Sequence, residues 1–270
     1  MPKYFDIHSH LNFPDYDVDR EAVIKNLKET NTYTIAVGTD LESSKKAVEL
    51  ADKHEEIYAC IGVHPADDTS ATFEDTPLPT LPLARGEQGW GELVKHPKVV
   101  AIGECGLDFF HTDKEKDYER QKKLFLDQAN FALKYDKPLM IHARNAYEEL
   151  LEILEQLGSR TSKLRGNVHF FAGDILTAKR FLNIGFTLSF TGVITFTHDY
   201  DEVIKFVPLE SIMSETDAPY VAPVPYRGKR NEPSYVSEVV KRIAEIKGED
   251  FEIVQKALID NVKRTFRIVA

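Results

Sequence analysis

The sequence predicts an α/β protein, a (β/α)8 TIM barrel, on three observations. Eight short β-type runs alternate with amphipathic helical stretches, the pattern of a parallel sheet covered by helices. The length of 270 residues suits a barrel, for which about 250 is typical. Most of the runs end in His, Glu or Asp, and the carboxyl ends of barrel strands meet at one mouth. With 42% hydrophobic residues the chain can fill one large core, and 1–270 is expected to form a single domain.

In order, the first strand is read at 4–9, across the stretch FDIHSH at 5–10. Residues two apart on a strand share a face, so Asp6, His8 and His10 are expected on one side. A helix at 19–30, a strand at 33–38, a helix at 41–54 and a strand at 57–63 follow. The excursion 66–89, rich in Pro, Thr and acidic residues, reads as a surface loop. Strands at 99–104, 138–142, 167–170, 185–190 and 211–215 alternate with helices at 117–135, 147–157, 175–183 and 198–206. A second long connection, 218–233, carries four prolines and the run RGKRNEP, and helices at 234–246 and 251–266 complete the pattern.

Acidic residues number 44 against 34 basic ones, a formal net charge of -10. Such a surface repels polyanions, which argues against coating long duplex nucleic acid but not against gripping a short stretch or an end. Two cysteines, Cys60 and Cys105, make no disulfide framework, so the cytoplasm is the expected compartment. No apolar run reaches the roughly 18 residues of a membrane span, and MPKYFDIHSH lacks a signal-peptide core. Nothing in the sequence asks for an obligate protein partner.

The strand ends carry the chemistry: His8 and His10, His64, Glu104, His142, His169 and Asp217. A lone histidine such as His142 in PLMIHAR is usually a core residue bonded to backbone. Glu104 resists that reading, because an apolar strand ending in a carboxylate buries a charge at a cost of several kcal/mol unless a cation meets it. His169 and Asp217 stand in the same relation to their strands, and a metal ion is one cation that would answer all three.

The motifs FDIHSHL, IGVHP, IGECGLDF, PLMIHAR, VHFFAG, SETDAPY and PVPYRGKRNEP, in this order, resemble the TatD family of metal-dependent deoxyribonucleases among the amidohydrolase-like barrels. The resemblance implies two divalent metal ions (Mg²⁺, Mn²⁺ or Zn²⁺): one held by His8, His10 and Asp217, the other by His142 and His169, with Glu104 bridging. It also implies a DNA substrate. Departures from the family pattern are Phe170 and Ala172 where Cys and Ser are usual, Asn145 where Asp is common, and Ala66 where His is common. None of them removes a ligand.

Two divalent ions set against Glu104 and Asp217 leave about two positive charges, which suits a phosphodiester whose negative charge grows toward the transition state. The expected reaction is hydrolysis of DNA by a metal-activated water, as a 3′–5′ exonuclease on single-stranded or frayed ends. Glu104 and Asp217 are the catalytic carboxylates, and Asp217 either accepts the proton of the water or only ligates. Arg227, Lys229 and Arg230 on the proline-stiffened loop, Arg144 and His64 are candidate substrate contacts. Phe109, Phe110 and Tyr220 have the chemistry to stack on bases, but rings near strand ends usually pack, and they are left out of the site. The alternative is an amidohydrolase-type enzyme acting on a small amide, lactone or phosphotriester. Many such sites bridge their metals with a carboxylated Lys where Glu104 stands, and RGKR has no obvious use on a neutral substrate.

Overall fold

The computed structural model describes residues 1–67, 73 and 89–268; most of the excursion 66–89 therefore lies outside the described residues. The elements are β1(Tyr4–Ser9), α1(Arg20–Thr30), β2(Thr32–Val37), α2(Leu41–Lys53), β3(Ile57–Ile61), α3(Trp90–Leu93) and β4(Val99–Asp108). They continue through α4(Lys114–Lys134), β5(Leu139–Arg144), α5(Tyr147–Gly158), β6(Gly166–Val168), α6(Ile175–Asn183), β7(Phe186–Phe190), α7(Asp201–Phe206), β8(Ile212–Ser214), α8(Val236–Lys247) and α9(Phe251–Phe266). The eight strands are parallel and pair in sequence order, giving a nearly closed barrel with helices between the strands. Among the described residues no helix is long and apolar enough to cross a membrane.

Local chemistry sets the helix ends. Asp40 and Ser43 form a reciprocal capping box on α2, and Asp174 caps α6 by accepting Thr177 N–H. Asn31 and Gly248, both left-handed, end α1 and α8. Helix α4 starts at Lys114, earlier than periodicity indicates, because its first turn is wholly polar and is set by the Asp113 cap.

Strands alternate between two cores. Phe5, Ile7, Ile35, Val37, Cys60, Met140 and Met213 form an inner cluster sealed by Val262 and Phe266 of α9. Their neighbours, such as Tyr4, Ala36, Ile61, Ile141 and Leu188, pack outward against the helices.

This alternation is broken at two places that matter. Between Asp6 and Ser9, β1 takes three steps while β2 takes two, from Thr34 to Ala36. Between Ile102 and Cys105, β4 likewise gains one residue on β5. Each is a β-bulge, which re-aims side chains and sharpens twist. The bulge in β1 corrects the expectation of one shared face: Asp6 points outward with Thr34, whereas His8 and His10 turn toward the mouth. Strand β4 also runs past Glu104 to Asp108, so Glu104 lies within the strand rather than at its end. Gly106 lies between the two acids, and a Cβ there would sit 1.9 Å from His142 O, so only glycine lets β4 approach β5 this closely.

The seam between β1 and β8 is closed by side chains as much as by backbone. One bridge, Ser9 to Ala218, is supported by His10 N–H to Ala218 O at 2.7 Å and Asp217 N–H to His8 O at 2.9 Å. Ser214 Oγ–H adds a bond to Phe5 O at 3.3 Å, and Asp6 supplies more. It accepts Thr216 N–H and Thr216 Oγ–H, both at 2.8 Å, besides Thr34 Oγ–H at 3.2 Å. Burial pushes its carboxyl well above the usual range.

Candidate metal centre at the barrel mouth

The bulged strands bring six of the sequence-selected side chains to one cluster. His8 Nε2 and His10 Nε2 are 3.3 Å apart. Asp217 Oδ1 lies 3.8 Å from the first and 3.5 Å from the second. On the other side His142 Nδ1 and His169 Nε2 are 3.3 Å apart. Glu104 stands between the pairs: Oε1 is 2.9 Å from His142 and 2.8 Å from His169, while Oε2 is 3.4 Å from His8 and 3.6 Å from His10. The His8 and His169 rings stack at 4.0 Å, so Glu104, His8 and His169 also form a ligand set of suitable spacing.

These spacings fit metal coordination. Ligands held about 2.0–2.2 Å from a tetrahedral ion are about 3.3–3.6 Å from one another. The inward nitrogens are chosen by bonds on the far side of each ring. His10 Nδ1 is 3.0 Å from Val37 O, and His142 Nε2 is 3.0 Å from Asp108 Oδ2, which leaves the opposite nitrogen of each to face the cluster. His169 Nδ1 lies 3.7 Å from Glu215, too long for a hydrogen bond, and buried His8 Nδ1 has no partner among the described residues.

The electrostatics favour positive charge. Burial opposes ionisation of Glu104, yet His169, His64 and His8, with the His142 hydrogen bond, outweigh it and hold the carboxyl well below the usual carboxylate range. Burial likewise opposes charge on His169, but Glu104 and Glu215 raise it well above an ordinary imidazole. A buried anion ringed by four imidazoles attracts cations, whether protons or metal ions.

Three residues that sequence reasoning missed support this cluster. Asp108 takes Phe110 N–H and His111 N–H on Oδ1, both at 2.8 Å, and faces His111 Nδ1 and His142 Nε2 with Oδ2 at 2.8 and 3.0 Å. His64, Asp108 and His142 also lie close enough to hold an ion, but Asp108 already has a protein partner for each lone pair and reads as an orienting group. It adds a negative charge that the tally from Glu104 and Asp217 omitted. Glu215, buried, accepts the Ser189 hydroxyl at 2.7 Å and Phe170 N–H at 2.5 Å. His111 lines the mouth. The signal for Asp108 was its spacing: Glu104, Gly106 and Asp108 share parity on one strand.

Above the cluster opens a cavity of about 800 Å³. His64, Arg144, Phe170, Ala172 and Tyr220 line it, so two of the departures from the family pattern sit on its wall. His64 accepts Ala66 N–H on Nδ1 at 3.2 Å, which in the neutral ring leaves the proton on Nε2, 3.7 Å from Glu104 Oε1. Arg227, Lys229 and Arg230 are not among the lining residues. Arg227 stacks on Phe196 with its guanidinium carbon 3.8 Å from the ring centre. Arg230 is bidentate to Asp19, at 2.8 and 2.7 Å, and also donates to Asp15 O, so its fork is engaged within the protein. Lys229 is exposed.

The model of the TatD related DNase family matches residues 5–267. YabD of Bacillus subtilis (strain 168), named an uncharacterized metal-dependent hydrolase, is 39% identical over 268 residues, covering 98% of this chain and 99% of that one. YcfH of Escherichia coli (strain K12), named in the same words, is 32% identical over 272 residues, covering 98% and 96%. Among solved structures, YjjV, a TatD homolog from Escherichia coli K12, superposes with a TM-score of 0.82 at 27% identity, covering 99% of each chain.

Proposed function

Because the chain belongs to the TatD related DNase family and is a metal-dependent hydrolase of that type, we propose that it acts as a single domain hydrolysing DNA phosphodiester bonds, trimming single-stranded or frayed 3′ ends. The observation that carries this reading is Glu104, whose two carboxylate oxygens each face a separate imidazole pair at the floor of the cavity. His8, His10 and Asp217 would hold one divalent cation, His142 and His169 a second, with Glu104 shared. Such cations supply Lewis acidity, bringing the pKa of coordinated water to about 7 and countering charge on phosphoryl oxygens.

The protein's own groups do the rest. Asp217 uses Oδ1 toward His8 and His10, and Oδ2 has no hydrogen-bond partner among the described residues, so it is placed to accept the proton of the attacking water. His64 Nε2–H donates to a phosphoryl oxygen, and Arg144 binds the phosphate at the rim. Arg227 and Lys229, outside the cavity, meet phosphates farther along the strand, while Arg230 braces the loop against α1.

The reading is tested by offering metal-loaded protein 5′-labelled single-stranded and duplex DNA, RNA, and a panel of small amides and lactones. Progressive shortening of single-stranded DNA is expected, with the label retained; consumption of an amide or lactone while DNA stays intact would overturn it. Chelation is expected to lower DNA hydrolysis to background and addition of Mg²⁺, Mn²⁺ or Zn²⁺ to restore it, measured as initial rates beside metal content. The pair Arg227→Ala and Lys229→Ala is expected to raise KM for oligonucleotides roughly 10-fold and to reduce the salt slope by about 1 for each phosphate no longer gripped. A small phosphodiester should show neither effect.

A further inference from the structure

Strand β4 ends at Asp108 directly opposite Arg144, the last residue of β5, on one wall of the mouth. Past Asp108 the chain turns sharply, held by Phe110 N–H and His111 N–H on Asp108 Oδ1 and by Thr112 Oγ–H on Asp108 O at 2.5 Å. The turn projects Phe110 outward, leaving it 57% exposed. Its ring is nevertheless not loose. The Arg144 guanidinium carbon lies 3.9 Å from the ring centre, and the His111 ring meets it edge-on at 4.9 Å.

Two features of this stack lack a structural explanation. A large apolar ring is held in solvent although Phe109, its neighbour, packs on the core. Arg144, lining a cavity whose floor is anionic, makes no ion pair among the described residues. A guanidinium held over an arene gains cation–π attraction and leaves its N–H groups available to a phosphate. Phe110 is not itself a lining residue of the cavity but flanks Arg144 and His111, which are, and Tyr220, which also lines it, is 50% exposed and lies 6.3 Å from the His10 ring.

We propose that Phe110 and Arg144 form a nucleobase shelf: the base of a nucleotide beside the scissile phosphate stacks on this pair while Arg144 N–H groups contact the adjoining phosphate. The inference rests on the nuclease reading and deepens it. A base inside a duplex has both faces covered by its neighbours and a paired terminal base has one, so the shelf favours a nucleotide that has left the duplex. Preference for frayed or single-stranded ends then arises from stacking rather than from any steric bar to duplex. Every base has a π-face, so the shelf tolerates any sequence.

The test compares wild type, Phe110→Ala and Phe110→Trp, all metal-loaded, on a single-stranded oligonucleotide and on the same strand with abasic nucleotides at its 3′ end. Phe110→Ala is expected to raise KM on the unmodified strand roughly 10-fold, the effect of removing one base-stacking ring, and Phe110→Trp to restore it. On the abasic strand the rise should fall below about 2-fold, since no base is present to stack. Equal KM changes on both strands, or none on either, would overturn the shelf while leaving the nuclease reading intact. Wild-type protein that cuts neither strand would end both.

Discussion

Replacing Glu104 by Gln is expected to lower kcat/KM on DNA by at least ~1,000-fold, about 4 kcal/mol of transition-state stabilisation, and to reduce bound metal below two ions per chain. The substitution keeps volume and shape but removes the one negative charge that all four imidazoles face. His169 owes its raised basicity first to Glu104, against burial, and His142 is held by Asp108 and Glu104 in the same way. Without that anion, nothing between the two imidazole pairs among the described residues would offset the mutual repulsion of the two proposed cations, and a neutral amide would share itself poorly between them. Metal content by elemental analysis and initial rates decide the matter, with circular dichroism to show that the barrel persists. Full metal content and undiminished turnover in Glu104→Gln would remove the bridging role.

Asp217→Asn is expected to cost ~100- to 10,000-fold in kcat, the range for loss of a positioned proton acceptor. Its two candidate duties separate in one experiment. The amide keeps an oxygen where Oδ1 stands, 3.5 Å from His10 Nε2, so a purely proton-accepting role predicts lost turnover with near-normal metal content. A purely ligating role predicts that added metal restores most of the rate. Stoichiometry measured beside kcat across a metal titration distinguishes the two.

The strands were legible because each is an apolar run bounded by turn residues, and all eight fall within a few residues of their expected positions. The gathering of His8, His10, Glu104, His142, His169 and Asp217 followed from barrel topology, which turns distance along the chain into proximity at the rim. What escaped the sequence has physical causes. A bulge leaves no mark in hydrophobic alternation, so the outward turn of Asp6 was invisible and parity assigned it the wrong face. Asp108 acts through the far side of the His142 ring and Glu215 lies as a buried charge behind His169, relations that only packing reveals. Arg230 reads as a free cation within RGKR until the fold brings Asp19 against it.

The seam between β1 and β8 has a consequence for biosynthesis. His8 and His10 leave the ribosome long before Asp217, and the three are gathered only when the first strand meets the segment following the last. A cation shared among them would therefore act as a latch on ring closure, its affinity adding to the stability of the joined state by mass action. An unfinished polypeptide could not hold that ion with the full set, so cutting power would be withheld until the protein was whole.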